Sequence, residues 1–204
     1  MNDLGLRERK KRETRLALSR AAIRLCVERG WDDVTVDDIA EAATVSPRTF
    51  RNYFTSKAEA IAASHLERAL STADELRARP PGEPLWEALV HAVSVQYVAE
   101  PDAVAGSAWM AGIRLVLAEP AVHGEVLKAD AIAKDELAAA IAERTGTDVA
   151  DVYPQLVAAV VAAASAVVVG RWLRSDPTES VVPALRAVFD QVRAGLPEPG
   201  KGQR

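Results

Sequence analysis

Residues that bind metals or carry electrons are scarce in this sequence. It has one cysteine, Cys26, and three histidines, His65, His91 and His123. A single thiol excludes an intrachain disulfide, and the Cys/His pairs of a structural zinc site are missing. There is no His-Glu-x-x-His, no Gly-x-Ser-x-Gly and no glycine loop that would cradle a phosphate. No catalytic residue, metal or cofactor is therefore expected. Asp130, Asp135 and Glu136 are spaced as one solvated helix surface rather than as a catalytic pair. Aromatics make up only 5% of the chain, against 49% hydrophobic residues overall. Abundant Ala and Val favour closely packed helices over an aromatic-rich sandwich. The most apolar run, Leu156–Val169, is shorter than the roughly 20 residues that cross a bilayer, and it reads as a buried helix. Residues 1–20 are polar and basic, without the apolar centre of a secretory leader. A cytoplasmic protein with no membrane partner is expected.

The formal net charge of −4 argues against a nucleic-acid binder, but its distribution argues for one. Through Lys57 the chain carries 12 Lys/Arg against 9 Asp/Glu, and the remainder carries 13 against 20. The first 24 residues hold 8 basic and 3 acidic side chains. A basic head on an acidic body suits phosphate contact at one end, although a solvated basic tail has the same composition.

Helical periodicity runs through almost the whole chain, so an all-α fold of about nine helices is expected. In the first helix, roughly Glu8–Arg29, Leu18, Ala21, Ala22, Leu25 and Cys26 share one face, and Gly30 supplies the stop. Three start signals follow. Thr35 with Asp38 forms a capping box in which Asp replaces the usual Glu/Gln. Ser46 precedes Pro47, an N-cap followed by proline at the first helical position. Ser56 with Glu59 opens a longer helix reaching about Arg79. The Pro/Gly-rich stretch 79–84 breaks that helix. Beyond it the expected helices are about Leu85–Ala99, Val104–Ala118, Val122–Arg144, Val152–Arg174 and Ser180–Leu196, punctuated by Pro101, Pro120, Gly146 and Pro177. The expected organisation is thus a three-helix head over 8–57, a connecting helix over 58–79 and a helical body over 85–196.

The two short helices within 35–57 need clamps to form a core. Val36, Ile39, Ala40 and Ala43 serve the first, Val45 seals the turn, and Phe50 and Phe54 serve the second. With both phenylalanines turned inward, the outer surface of the second helix presents Pro47, Arg48, Thr49, Arg51, Asn52 and Tyr53, with Ser46 at its cap. Arg can pair with guanine, Asn with adenine, and Thr with a thymine methyl or a phosphate. Arg48, Thr49, Arg51 and Asn52 are expected at base edges. Thr35, Tyr53 and Lys57 lie near helix ends and are expected to position phosphates. A helical hairpin with a polar outer face has the same spacing.

The stretch Ala21-Ala22, Leu25, Glu28-Arg29-Gly30-Trp31, Thr35-Val36, Ile39-Ala40, Ala43, Val45-Ser46, Thr49-Phe50, Tyr53-Phe54 and Ser56-Lys57 resembles the N-terminal domain of TetR-family regulators. The match runs in order and without gaps. It departs at Thr44, where the family usually has glycine, which implies backbone strain at the turn, and at Cys26, which replaces an aromatic. The resemblance implies a dimeric helix-turn-helix regulator, most simply a ligand-responsive repressor on a palindromic DNA operator.

For the body, it implies a four-helix bundle made by the last two helices of each subunit. The residues allow this: Leu156, Val157, Val160, Val161 and Val168 give one helix a broad apolar surface, and Leu185, Val188, Phe189 and Val192 give the next a stripe. It also implies an effector cavity, for which the sequence offers Trp86, Leu89, Val93, Tyr97, Trp109, Met110, Ile113, Arg114, Leu117 and Leu127. Such stripes serve equally as core. The segments Gly112-Ile113-Arg114-Leu115, Glu119-Pro120, Glu136-Leu137, Ile141 to Gly146 and Arg171-Trp172-Leu173 are loosely similar to a TetR subgroup proposed to bind acyl-coenzyme A-like ligands, and an apolar effector of that kind is the expectation. A helical protein-interaction or small-molecule-binding module that does not read DNA is the alternative.

Overall fold

The computed structural model describes residues 3–97, 107–175 and 180–198. Among them are nine helices and no strand: α1 (Asp3–Arg29), α2 (Val36–Ala42), α3 (Pro47–Tyr53), α4 (Lys57–Ala78), α5 (Leu85–Val95), α6 (Ser107–Ala118), α7 (Pro120–Thr145), α8 (Val152–Arg174) and α9 (Val182–Arg193). The all-α expectation holds. The differences lie at helix ends. α1 begins ahead of the expected Glu8, at Asp3. α7 starts on Pro120 itself, where a missing N–H costs nothing, rather than after it. α5 closes early, with Gln96 and Tyr97 N–H groups donating three residues back to Val93 and Ser94 carbonyls. α9 gives way to Gly195, at φ +83°. Ala99, Pro101, Val104 and Pro177 lie outside the described residues.

The chain forms two compact units, Met1–Ala69 with Ala105–Ile132, and Leu70–Val104 with Ala133–Arg204. The core of the first joins Leu18, Leu25 and Cys26 of α1 to Ile39, Phe50, Phe54 and Ile61, and adds Val116 and Val122 from α6 and α7. The expected boundary before residue 85 therefore does not divide the cores, because α6 packs with the head. Gly112 makes that packing possible: a Cβ there would lie 2.6 Å from Val27 Cγ1 of α1. The buried Ser19 hydroxyl pairs with that of the half-buried Ser64, 2.6 Å apart, and ties α1 to α4.

The second unit packs Leu76, Leu89, Ile141, Val157, Val161, Leu185 and Phe189 into one cluster. Arg144, whose side chain is 10% exposed, donates to the Pro80 and Glu83 carbonyls at 2.7 Å each and to the Arg79 carbonyl at 3.4 Å. The proline-rich stretch is thereby clamped, not loose. Arg79 pairs with Glu83 at 2.6 Å, and Arg77 joins Glu143 at 2.9 Å and Glu136 at 2.7 Å. The Glu143 hydrogen bond, ahead of Glu136, raises the Arg77 guanidinium pKa further and holds its charge.

α8 is 23 residues long and, by length and composition alone, apolar enough to cross a membrane. The expectation that this segment is too short counted the apolar run alone and not its helical extensions. Val157, Ala158, Val161, Ala164 and Val168 form its buried stripe, whereas Leu156 is 57% and Val167 58% exposed.

Candidate nucleic-acid interface

Three local devices set the geometry of α2 and α3. At the α2 cap, the Asp38 N–H donates to Thr35 Oγ1 at 3.1 Å, and the Thr35 N–H donates to Asp38 Oδ2 at 2.8 Å. The Thr35 hydroxyl also donates to that carboxylate. These bonds from Thr35, hydroxyl first, hold the Asp38 carboxyl below its usual pKa range. At the α3 cap, the Thr49 N–H donates to Ser46 Oγ at 3.0 Å, with Pro47 opening the first turn. At the α4 start, the Glu59 N–H donates to Ser56 Oγ at 3.1 Å. The Glu59 carboxylate passes over Ser56, the partner expected from a capping box. It accepts instead from the Thr55 N–H and hydroxyl, each at 2.8 Å.

The turn between α2 and α3 carries the expected strain. Thr44 has φ +57°, a left-handed conformation that costs a β-branched residue about 1–2 kcal/mol. Its neighbours secure it: the Thr44 N–H donates to the Glu41 carbonyl and the Val45 N–H to the Ala40 carbonyl, each at 2.9 Å.

α3 is anchored by Phe50 and Phe54, 0% and 1% exposed, with ring centroids 5.7 Å apart. Burying one such ring stabilises the unit by about 2–3 kcal/mol. The opposite surface follows from helical geometry. Arg48, Arg51 and Asn52 are exposed, and Pro47, Thr49 and Tyr53 are half-buried beside them. Arg51 leans toward Asp37, with both side chains largely exposed and 3.7 Å apart. Thr35 and Ser46 are exposed at their caps, yet their hydroxyls are committed to capping bonds.

Lys57 differs most from its expected use. Its ammonium donates to the Val34 carbonyl at 2.9 Å and to the Trp31 carbonyl, and it stands 4.0 Å from the Trp31 ring centroid. Two of its three donors thus hold the α1–α2 connection, leaving one for a phosphate. The sequence reading missed Arg15. Its guanidinium lies 4.6 Å from the Phe54 ring centroid, and its Nη1 donates to the Tyr53 carbonyl at 3.4 Å, securing the end of α3. A cation one turn before Leu18 on α1 was the available signal. Cys26 is buried, and that burial pushes its thiol pKa up despite the opposing Lys57 charge.

The residues expected around an effector are divided between the two units. Trp86, Leu89, Val93 and Tyr97 belong to the second unit, whereas Trp109, Met110, Ile113, Arg114, Leu117 and Leu127 belong to the first. Leu89, Val93 and Met110 are buried, and the first two belong to the core cluster of the second unit. Leu127 is 56% exposed, so it faces outward. Trp109 borders a groove of about 570 Å³ with Ala17, Ala21, Ala43 and Thr44. Trp86 borders a cleft of about 310 Å³ between α5 and α9, with His91, Arg186 and Asp190. Next to Val93, the Ser94 hydroxyl is buried with no hydrogen-bond partner among the described residues.

The residues expected at an interface are divided between core and surface within the single chain. Val157, Val161, Val168, Leu185 and Phe189 are buried in their own unit, so a second chain has almost nothing of them to cover. Val188 and Val192 pack partly against the same core, leaving Leu156 and the half-buried Val160 facing outward.

Comparison with known proteins agrees with this architecture. The family model for bacterial regulatory proteins of the tetR family matches residues 18–63, and that for the MftR C-terminal domain matches 83–197. The HTH-type transcriptional regulator TcmR of Streptomyces glaucescens is 36% identical over 204 residues, covering 96% of this chain and 89% of that protein. MftR of Mycobacterium tuberculosis, a regulator named for mycofactocin biosynthesis, is 31% identical over 183 residues, covering 88% and 89%. Among solved structures, the fatty acid degradation regulator FadR of Bacillus halodurans superposes with a TM-score of 0.57 at 17% identity, covering 90% of this chain and 96% of its own. Thermus thermophilus FadR, a TetR-family repressor solved with lauroyl-CoA, gives 0.55 at 20% identity, covering 93% and 98%. At those identities the likeness is one of fold. The head's capped helix-turn-helix, the model spanning 83–197 and the near-full-length relative together show that the protein belongs to the TetR family of bacterial regulatory proteins and is a DNA-binding transcriptional regulator.

Proposed function

We propose that the protein is a cytoplasmic, homodimeric, ligand-responsive repressor that reads a palindromic operator with one α3 per half-site. The observation that carries this reading is the two-sidedness of α3, with Phe50 and Phe54 inside and Arg48, Arg51 and Asn52 exposed. Arg48, Thr49, Arg51 and Asn52 meet base edges in the major groove. Tyr53 and the remaining Lys57 donor fix the phosphates around it, and Thr35, Ser46 and Pro47 shape the helix starts that present these groups.

Dimerisation uses the outer face of α8. Val152, Leu156, Val160, Ala163 and Val167 recur at helical spacing and leave an apolar stripe that a second copy would cover. The two heads then engage two half-sites together, and an effector that disturbs the body lowers affinity by ending that joint engagement. An apolar or acyl-coenzyme A-like effector fits the resemblance of residues 112–146 and 171–173. The unpartnered Ser94 hydroxyl is a buried donor that such a ligand could satisfy.

The test is selection of a duplex from a random-sequence pool, followed by anisotropy titrations. Arg48→Ala and Asn52→Ala should each lose about 1–3 kcal/mol, confined to one base position, whereas Tyr53→Ala should weaken all sequences alike. Equal losses on selected and random DNA for all three variants would refute the assignment. Release of the bound duplex by lauroyl-CoA, and none by coenzyme A alone, is the outcome expected for the effector.

A further inference from the structure

The core face of α1 does not end where the core ends. Leu25, Ala21 and Leu18 lie on one stripe and are buried. Continuing toward the N-terminus at the same alternation of three and four residues, that stripe becomes Thr14, Lys11 and Arg7, with Lys10 beside them. One face of a single helix thus changes from apolar to cationic at Thr14, whose hydroxyl turns back to the Lys10 carbonyl at 2.9 Å. Arg7, Lys10 and Lys11 are exposed, and none of them pairs with a carboxylate among the described residues. The opposite side of these turns is neutralised: Arg9 pairs with Glu13 at 3.7 Å, and Arg12 pairs with Glu67 of α4.

The position of this stripe is fixed by Arg15, which stacks on Phe54 and donates to the Tyr53 carbonyl at the end of α3. From Arg15, at the end of α3, back to Arg7 the helix runs for about 12 Å. Its cations, with neighbouring Cβ atoms about 5–6 Å apart, are spaced closely enough to meet several charges of a duplex, which presents one per ~1.7 Å of axis.

We infer that the outer turns of α1 are a second DNA grip, in which Arg7, Lys10 and Lys11 hold phosphates flanking the half-site read by α3. The inference rests on the DNA-reading role proposed for α3. It assigns these residues to affinity and to the length of DNA covered, not to base choice.

The experiment uses the full-length protein and a duplex, flanks retained, that the wild type selects from a random-sequence pool. Arg7→Gln/Lys10→Gln/Lys11→Gln keeps good helix formers on an exposed face, and circular dichroism checks its helix content. In anisotropy titrations across salt, the slope of log K against log[salt] should become shallower by about 0.9 for each phosphate contact removed, up to about 2.7 per subunit. Base preference should stay unchanged. Trimming the flanking base pairs should weaken the wild type but not the triple variant. Arg9→Gln/Glu13→Gln, on the neutralised side, should keep the wild-type slope. A triple variant with the wild-type slope and trimming response overturns the inference while leaving the α3 reading intact, as does an equal change in the control variant. A wild type that selects no sequence from the pool overturns both.

Discussion

The α1–α4 head of the first unit buries its large apolar side chains among the described residues, whereas α8 of the second unit leaves an apolar face uncovered. In the first, Phe50 and Phe54 are wholly inside, the start of each short helix is capped by a side chain, and the exposed surface of α3 is polar. In the second, a tight core coexists with a run of exposed Val and Leu along α8. Polar exposure can be satisfied by water or by DNA, but an apolar stripe of that length finds its favourable state only against another apolar surface. A recognition surface can therefore be complete in a single chain when an assembly surface cannot.

Four measurements break or sharpen that contrast, beginning with the largest effect. Leu156→Glu with Val167→Glu should halve the mass seen by sedimentation. It should also lower affinity for a duplex with two half-sites about 100-fold or more, with little change on one half-site. An intact dimer would show that this stripe is not the unfinished part. Next, Arg144→Ala should cost the second unit about 3 kcal/mol in urea unfolding, since three backbone carbonyls lose a charged donor from a side chain only 10% exposed. A neutral result would show that the proline-rich stretch holds itself.

Thr44→Gly should stabilise the first unit by about 1 kcal/mol in thermal unfolding, because glycine relieves the φ of +57° while adding some unfolded-chain entropy. The smallest effect concerns acid. Asp38 is held below its ordinary value by the Thr35 hydroxyl and then by the Thr35 N–H. Its contribution is thus present above the unfolded value of about 3.9 and disappears as pH falls through the lower folded value. Asp38→Asn should flatten that part of the acid-unfolding curve of the first unit, and an unchanged curve would remove the carboxylate from the account.

What was legible in the sequence was mostly local. The Thr35–Asp38 box, the Ser46–Pro47 start, the inward Phe50 and Phe54 and the strain at Thr44 each involve side chains within a few residues of one another. They follow from hydrogen-bond reach and helical pitch. The face of α8 that turns inward did not follow, because Val and Ala occur on all its sides and periodicity cannot rank equal faces. Hence Val157, Val161 and Val168 were expected outside although they are core. The packing of α6 with the head depends on the missing side chain of Gly112 meeting Val27, more than eighty residues away. Arg144 read as an ordinary cation at a helix end, and Lys57 as a phosphate ligand. What each actually holds, a set of backbone carbonyls, has no sequence pattern.

The lone thiol, Cys26, lies sealed in the first unit at 2% exposure. Two copies of this chain cannot be bridged through sulfur unless that unit opens. A thiol-reactive dye therefore marks only molecules whose reading head has come apart, whatever the state of the second unit. The protein thus carries a native stopwatch for the opening of one half, already in place and needing no engineered probe.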